Sequence, residues 1–330
     1  MLGNLFILSF FSACVPTEPS RAQFVFGTVC SVSLFENEQD SVYQEIFSRL
    51  REIDNRMSVN IAASDIARVN AAAGIEPVQV HEDVFKVVQR ALHYAQISDG
   101  AFDPTVGPLV SLWGIGTDYP RVPSKAEIDE VLPLINWRNV ELNEQTLSVF
   151  LKKRGMSLDL GAIAKGFAAD EAAAIIKNAG LKRAIIDLSG NILTCGEKTN
   201  KTPWKIAIQN PNEDRGYSLG ILQVTQMSVV TSGVYERFFE ENGKRYHHIF
   251  SPVSGYPAES ELLSVTIITA NSIDADALST AVFVLGYERG MFLLDSLPGV
   301  EAVFVFEDLS VRKTPGADFT LTDKTFRLLD

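Results

Sequence analysis

Six strand-like runs crowd the second half of the chain, at residues 184–188, 204–209, 219–230, 234–250, 262–269 and 300–306. Each is rich in β-branched or aromatic residues, and Asn242-Gly243 inside the fourth run is a hairpin-turn signature. Only one helical stretch interrupts them, from about Asp274 to Leu285, with Gly286 as its stop. The first half mixes its elements differently. A strand is expected over residues 23–35, followed by a helix with Val42, Ile46, Leu50, Ile53 and Met57 on one face. A second helix covers 82–98, its inward positions being Val84, Val87, Val88, Ala91 and Ala95, and stops at Asp99-Gly100. A strand pair at 140–150 and a helix over 162–179, closed by Gly180, complete the pattern. Strands and helices neither alternate regularly nor separate cleanly, so an α+β fold is expected.

Composition narrows the function. With 46% hydrophobic and 21% charged residues, the 330-residue chain can bury a large core and is not disordered. Its net charge of −12 leaves no basic surplus for non-specific nucleic-acid binding. An acidic protein that handles an anionic substrate needs a local cation.

The N-terminus reads as an export signal. Leu5-Phe6-Ile7-Leu8 and Phe10-Phe11 have the length of a signal h-region, and Ser12-Ala13 directly before Cys14 resembles a lipobox. Cys14 is then the expected lipidated residue, the other reading being a cleaved signal without lipid. No Lys or Arg precedes Arg21, and Phe11 stands where an aliphatic residue is usual. Residues 1–14 are accordingly read as signal, 15–21 as a tether with Pro16 and Pro19, and 22–330 as a single catalytic domain. Cys30 and Cys195 fall in strand-like segments and read either as a structural pair or as two buried free thiols. No His or Cys cluster has zinc spacing.

Three segments carry chemical promise. In Asp159-Leu160-Gly161-Ala162-Ile163-Ala164-Lys165-Gly166, a glycine-containing loop enters a helix, and free N–H groups at a helix start form an anion site. Lys165 sits in the first turn, where the helix dipole disfavours a cation unless something negative binds. A solvated Lys165 with packing glycines is the alternative. The segment is neither a P-loop nor a dinucleotide fingerprint, because Phe167 follows Gly166 and the glycine spacing fails. In Asn271-Ser272-Ile273-Asp274-Ala275-Asp276-Ala277-Leu278-Ser279-Thr280, Asp276 and Thr280 share a helix face at i and i+4, so their oxygens can converge on a hard cation such as Mg²⁺. Asp274 is better explained as a cap. The third segment, Gly100-Ala101-Phe102-Asp103-Pro104-Thr105-Val106-Gly107-Pro108-Leu109 through Leu112-Trp113-Gly114, is rich in Gly and Pro with aromatics and describes a rigid, shaped loop. Of the four histidines, His248 lies near a turn from which it could reach a ligand, the other reading being an ordinary strand histidine. No nucleophile elbow is present.

These segments, with Asp187-Leu188-Ser189-Gly190-Asn191 and His248-Ile249 followed by Gly255, resemble in content and order the ApbE family of FAD:protein FMN transferases. The resemblance covers nearly everything after the signal. It implies a compact, T-fold-related α+β arrangement of mixed sheets and helices with a flavin cleft. It also implies a Mg²⁺-dependent reaction in which FAD is split, AMP is released and FMN is passed to a Thr or Ser hydroxyl. By that resemblance the carbonyl of Ala162 and the side chains of Asp276 and Thr280, with Ser279 as a further candidate, hold Mg²⁺. Asp159, Lys165, Ala101, Phe102, Asp103 and His248, with Asn60 at the position after Met57-Ser58-Val59, are the FAD-binding set, and Asp276, Lys165 and His248 are the catalytic candidates, the base that deprotonates the acceptor being either a carboxylate or His248. The implied partners are flavoprotein subunits of membrane redox complexes. The implied place is the periplasm of a bacterium, with a lipid anchor in the inner membrane.

One departure stands out. Where the family commonly reads Met-Ser-Thr-Tyr, this chain reads Met57-Ser58-Val59-Asn60, and Asn60 cannot stack on FAD as a tyrosine does. That raises a second reading, a Mg²⁺-dependent FAD pyrophosphatase giving FMN and AMP. A third, from another class, is a flavin-binding lipoprotein without chemistry.

Overall fold

The computed structural model describes residues 20–36 and 40–329, so Cys14 and the signal-like segment lie outside the described residues. A nine-stranded sheet forms the centre. In spatial order its strands are Ser20–Val25, Thr28–Leu34, Ala184–Asp187, Asn191–Cys195, Ser228–Gly233, Leu262–Thr269, Glu301–Phe306, Ser310–Lys313 and Arg327–Leu328. Every neighbouring pair is antiparallel except the last.

Both faces of this sheet are covered over much of its width. Helices Asp40–Met57, Glu82–Ile97, Ala164–Asn178 and Ser272–Asp295 contribute to the main core on one side. A three-stranded sheet of Phe319–Leu321, Ser218–Val224 and Trp204–Gln209 contributes to a second core on the other. The central strand Glu301–Phe306 shows why its sequence is a continuous apolar run. Ala302 and Phe304 enter the helix-side core, while Val303 and Val305 enter the second. All five apolar positions expected on the inner face of the first helix are buried, as are the five of the second.

Several boundaries differ from the sequence expectations. The single strand over 23–35 is a hairpin, turned by Phe26 (φ 55°) and Gly27 (φ 69°), a two-residue turn that sequence periodicity does not reveal. Its first strand begins at Ser20, so Ser20 and Arg21 belong to the sheet edge rather than to a tether. The run 219–230 is two strands, broken at Gln226 (φ 53°). Asn242-Gly243 does turn the Phe238–Glu241 and Lys244–His247 hairpin. Gly286 (φ 74°, ψ 178°) does stop the helix begun at Ser272, but a further helical stretch to Asp295 follows it. The Ser272–Asp295 helix is long and apolar enough to cross a membrane, yet half of its most apolar stretch is buried within the protein, as a core helix is. Cys30 and Cys195 are free thiols. Register explains this: Cys195 pairs with Ala184 and Ala184 with Leu34, which places Cys30 two strands away and four residues, roughly 13 Å, along its strand.

Candidate active site

Two helix starts meet against the large sheet, where the Ser272 hydroxyl accepts from Ser228 and donates to Asn191. A Cβ at Gly166 would lie 2.3 Å from the Ser272 carbonyl oxygen and 2.7 Å from the Ile273 Cα, so only glycine lets the two helices approach this closely. Each helix then caps the other. The Asp276 carboxylate accepts the Gly166 N–H at 2.9 Å, and the Asp170 carboxylate accepts the N–H groups of Ser272 and Ile273 at 2.8 and 2.9 Å. The N–H groups of Ile163 and Ala164 both donate to the Leu160 carbonyl. This corrects the expectation that the helix-start N–H groups serve as an anion site: those of Ile163, Ala164 and Gly166 already have partners inside the protein. The anion-binding capacity here lies in side chains. Lys165, the cation in an unfavourable first-turn position, is offset by its attraction to Asp276.

These helix starts line one wall of an open cleft. Ala162, Lys165, Asp276 and Thr280 all face it. The loop at Ala101–Asp103, Asp159 and His248 line it as well. Two tight turns at the sheet end add Thr28 and Ser189. The second is the Asp187-Leu188-Ser189-Gly190-Asn191 segment, folded into a two-residue turn with φ 59° at Ser189 and 87° at Gly190 and closed by Leu188 N–H on the Asn191 carbonyl.

Not every expected residue plays its expected part. The Ser279 hydroxyl is fully buried, donates to the Asp276 carbonyl at 2.9 Å and pairs with the Ser232 hydroxyl at 2.8 Å, so it turns away from the cleft. Helical geometry explains this, since Ser279 is one position, about 100°, around from Thr280. Asn60 sits in an exposed turn after the first helix and is not among the residues lining the cleft. Asp103 lines the cleft, but its carboxylate is committed: one oxygen accepts from the Thr105 N–H and hydroxyl at 2.8 and 2.6 Å, the other from the Trp137 N–H at 3.1 Å. It holds the loop's shape. Asp159 N–H donates to the Pro104 carbonyl at 2.8 Å, tying that loop to the lysine loop. Trp113 is fully buried against Tyr246, Phe250 and Tyr256 and donates to the Gly255 carbonyl at 2.9 Å, which makes the aromatic segment a rigid backing for the cleft.

Electrostatics separates the two adjacent histidines. His247 Nδ1 accepts from the Ile249 N–H at 3.3 Å, so its Nε2 carries the proton and donates to the Ala258 carbonyl at 3.2 Å. Burial pushes its pKa down to about 4. His247 is thus a neutral, structural imidazole. His248 Nδ1 lies 3.2 Å from the Arg237 carbonyl, an acceptor, so Nδ1–H donates and Nε2 keeps its lone pair. Burial, then the charge of Arg237, brings its pKa to about 4 as well, leaving a neutral base at the cleft. Burial raises the pKa values of Asp276 and Asp159; the Lys165 charge opposes it at Asp276, and the Gly161 N–H and Arg237 oppose it at Asp159.

The donor set suits a hard cation. Asp276 and Thr280 present oxygen ligands on one wall and Ala162 adjoins them, while among the described residues no three His, Cys, Asp or Glu side chains gather into a metal set. Few protein oxygens fit Mg²⁺, which commonly completes its shell with water and substrate phosphates. Sequence reasoning missed Arg237, Thr28 and Ser189 as cleft residues. The Asp-Leu-Ser-Gly-Asn turn signature was the available signal for Ser189; Arg237 carried none.

The comparisons converge with this geometry. The model of the ApbE family matches residues 26–304. The FAD:protein FMN transferase of Treponema pallidum is 40% identical over 91% of this chain and 87% of its own length. That of Klebsiella pneumoniae is 37% identical over 94% and 97%. Among solved structures, the ApbE protein of Thermotoga maritima superposes with a TM-score of 0.80 at 32% identity, covering 94% of this chain and 98% of that one. The flavin transferase ApbE of Vibrio cholerae also gives 0.80, at 26% identity over 93% and 96%. With its lysine-bearing helix start, its Asp276/Thr280 wall and its shaped loop all facing one cleft, and with matches spanning nearly its whole length, this chain belongs to the ApbE family.

Proposed function

We propose that this protein transfers FMN from FAD to a Ser or Thr hydroxyl of a target flavoprotein, releasing AMP. The observation that carries this reading is the convergence of Lys165, Asp276, Thr280 and His248 on one open cleft in a chain whose relatives are FAD:protein FMN transferases. In the reaction, the acceptor oxygen attacks the phosphorus of the FMN half and a P–O bond to the bridging oxygen breaks. That oxygen leaves with AMP, and the acceptor's proton passes to a base.

The chain's own groups divide this work. Lys165 neutralises phosphate charge from the helix start, and the neutral Nε2 of His248 takes the hydroxyl proton. The committed carboxylate of Asp103 keeps the Ala101–Asp103 loop in shape against the ligand. Mg²⁺ would be held by Asp276 and Thr280, with the Ala162 carbonyl adjoining, and when bound supplies charge neutralisation at the pyrophosphate. Cys14 as a lipid anchor, a periplasmic site at the inner membrane and acceptors in membrane redox complexes belong to the same proposal, supported by the signal-like N-terminus. The test is incubation with FAD, Mg²⁺ and a candidate acceptor protein. Fluorescent acceptor that resists denaturation, lost when its hydroxyl residue becomes Val, is the expected result. Free FMN with unlabelled acceptor would assign the site to hydrolysis instead, and intact FAD would leave only storage.

A further inference from the structure

Two cations face the cleft, Lys165 and Arg237, and among the described residues neither forms an ion pair. In a chain of net charge −12, where most arginines have carboxylate partners, an arginine left open at a cleft mouth calls for explanation. Its neighbours show how it is kept open. Glu236, the adjacent carboxylate and the obvious partner, is instead bonded to Arg215 at 3.1 Å. A Cβ at Gly116 would stand 3.6 Å from the Arg237 Cδ, so the facing loop runs directly alongside the arginine's aliphatic stem. The backbone is fixed as well. The Arg237 carbonyl accepts the His248 N–H at 3.1 Å and lies 3.2 Å from His248 Nδ1. One residue therefore fixes the His248 imidazole through its carbonyl and presents an unpaired guanidinium to the same space. Arg237, Asp159 and His248 line the same cleft.

We propose that Arg237 is the second phosphate-binding cation of the cleft, engaging the pyrophosphate of FAD from the mouth as Lys165 does from the helix start. This rests on the FAD reading above. A guanidinium offers a fork of donors matched to phosphate oxygens, which an ammonium does not. Because the side chain is exposed and makes no side-chain hydrogen bond or ion pair among the described residues, its replacement leaves the fold intact.

The test is a ligand series measured by flavin fluorescence in EDTA, with riboflavin, FMN and FAD as probes against wild type, Arg237→Gln and Arg237→Lys. Thermal unfolding of each variant serves as the check on folding. Arg237→Gln is expected to weaken FAD by roughly 10- to 100-fold, the range of a hydrogen-bonded charge contact, while riboflavin, which lacks phosphate, is unchanged. Arg237→Lys is expected to fall between. Unchanged FAD affinity, or equal losses for riboflavin and FAD, would overturn the assignment. Wild-type protein that binds no flavin would instead overturn the FAD reading itself.

Discussion

Asp276 holds two jobs that a pair of substitutions separates. Structurally, its carboxylate accepts the Gly166 N–H at 2.9 Å and places negative charge at the start of the Ala164–Asn178 helix. Asp276→Ala removes the acceptor and leaves a buried N–H without a partner, at a cost of about 1–3 kcal/mol. Asp276→Asn keeps an oxygen for Gly166 and removes a carboxylate whose ionised form burial disfavours, so its stability should stay within about 1 kcal/mol of wild type. Chemically the two variants should behave alike, since an amide is a poor replacement for a carboxylate on a hard cation. Both should lose Mg²⁺-dependent AMP release from FAD by at least about 100-fold. Thermal melts should therefore rank wild type and Asp276→Asn together above Asp276→Ala, while a coupled AMP assay ranks both variants far below wild type. Substantial Mg²⁺-dependent AMP release by Asp276→Asn would refute the metal-site assignment, and equal instability of the two variants would refute the capping one.

Two further outcomes follow from the buried titrating groups. Burial raises the Asp170 pKa to about 6, so its contribution to stability is present below its unfolded pKa near 4 and is lost as pH rises through about 6. Asp170→Asn should flatten the pH dependence of the melting temperature across that window, by an amount corresponding to no more than about 3 kcal/mol; an unchanged slope would show that Asp170 does not titrate there. The neighbouring histidines should part company: His247→Gln lowers stability because it breaks the buried Ile249 and Ala258 contacts, whereas His248→Gln leaves the melting temperature close to wild type and lowers transfer by about 10²–10⁴-fold. Both imidazoles have depressed pKa values, so they are neutral in folded and unfolded chains above about pH 6.5, and as pH falls from there toward about 4 the unfolded chain takes up protons first and stability drops.

Periodicity located the long helices because a buried stripe repeats over many turns, as Val42 through Met57 does. It also found the strands Leu262–Thr269 and Trp204–Gln209 at their bounds. Short elements escaped it. The helices Asp65–Ala71, Gly107–Trp113 and Lys125–Val131 span only two turns each, too few for a repeat to register. The Phe26-Gly27 turn was hidden because a left-handed phenylalanine carries no local signal, unlike Asn242-Gly243. At the site, Lys165, Asp276 and Thr280 were legible from spacing and face. Whether a carboxylate is open or committed was not, since the bonds of Asp103 to Trp137 join residues far apart in sequence. Arg237 was invisible for the same reason, its isolation being set by where Arg215 draws Glu236 and by the loop at Gly116.

Transfer of FMN from FAD to a protein hydroxyl is tested most directly by stoichiometry. With FAD, Mg²⁺ and an acceptor protein, one AMP should appear for each FMN that mass spectrometry finds on an acceptor Ser or Thr, with negligible free FMN. AMP accompanied by an equal amount of free FMN, and an acceptor of unchanged mass, would contradict it.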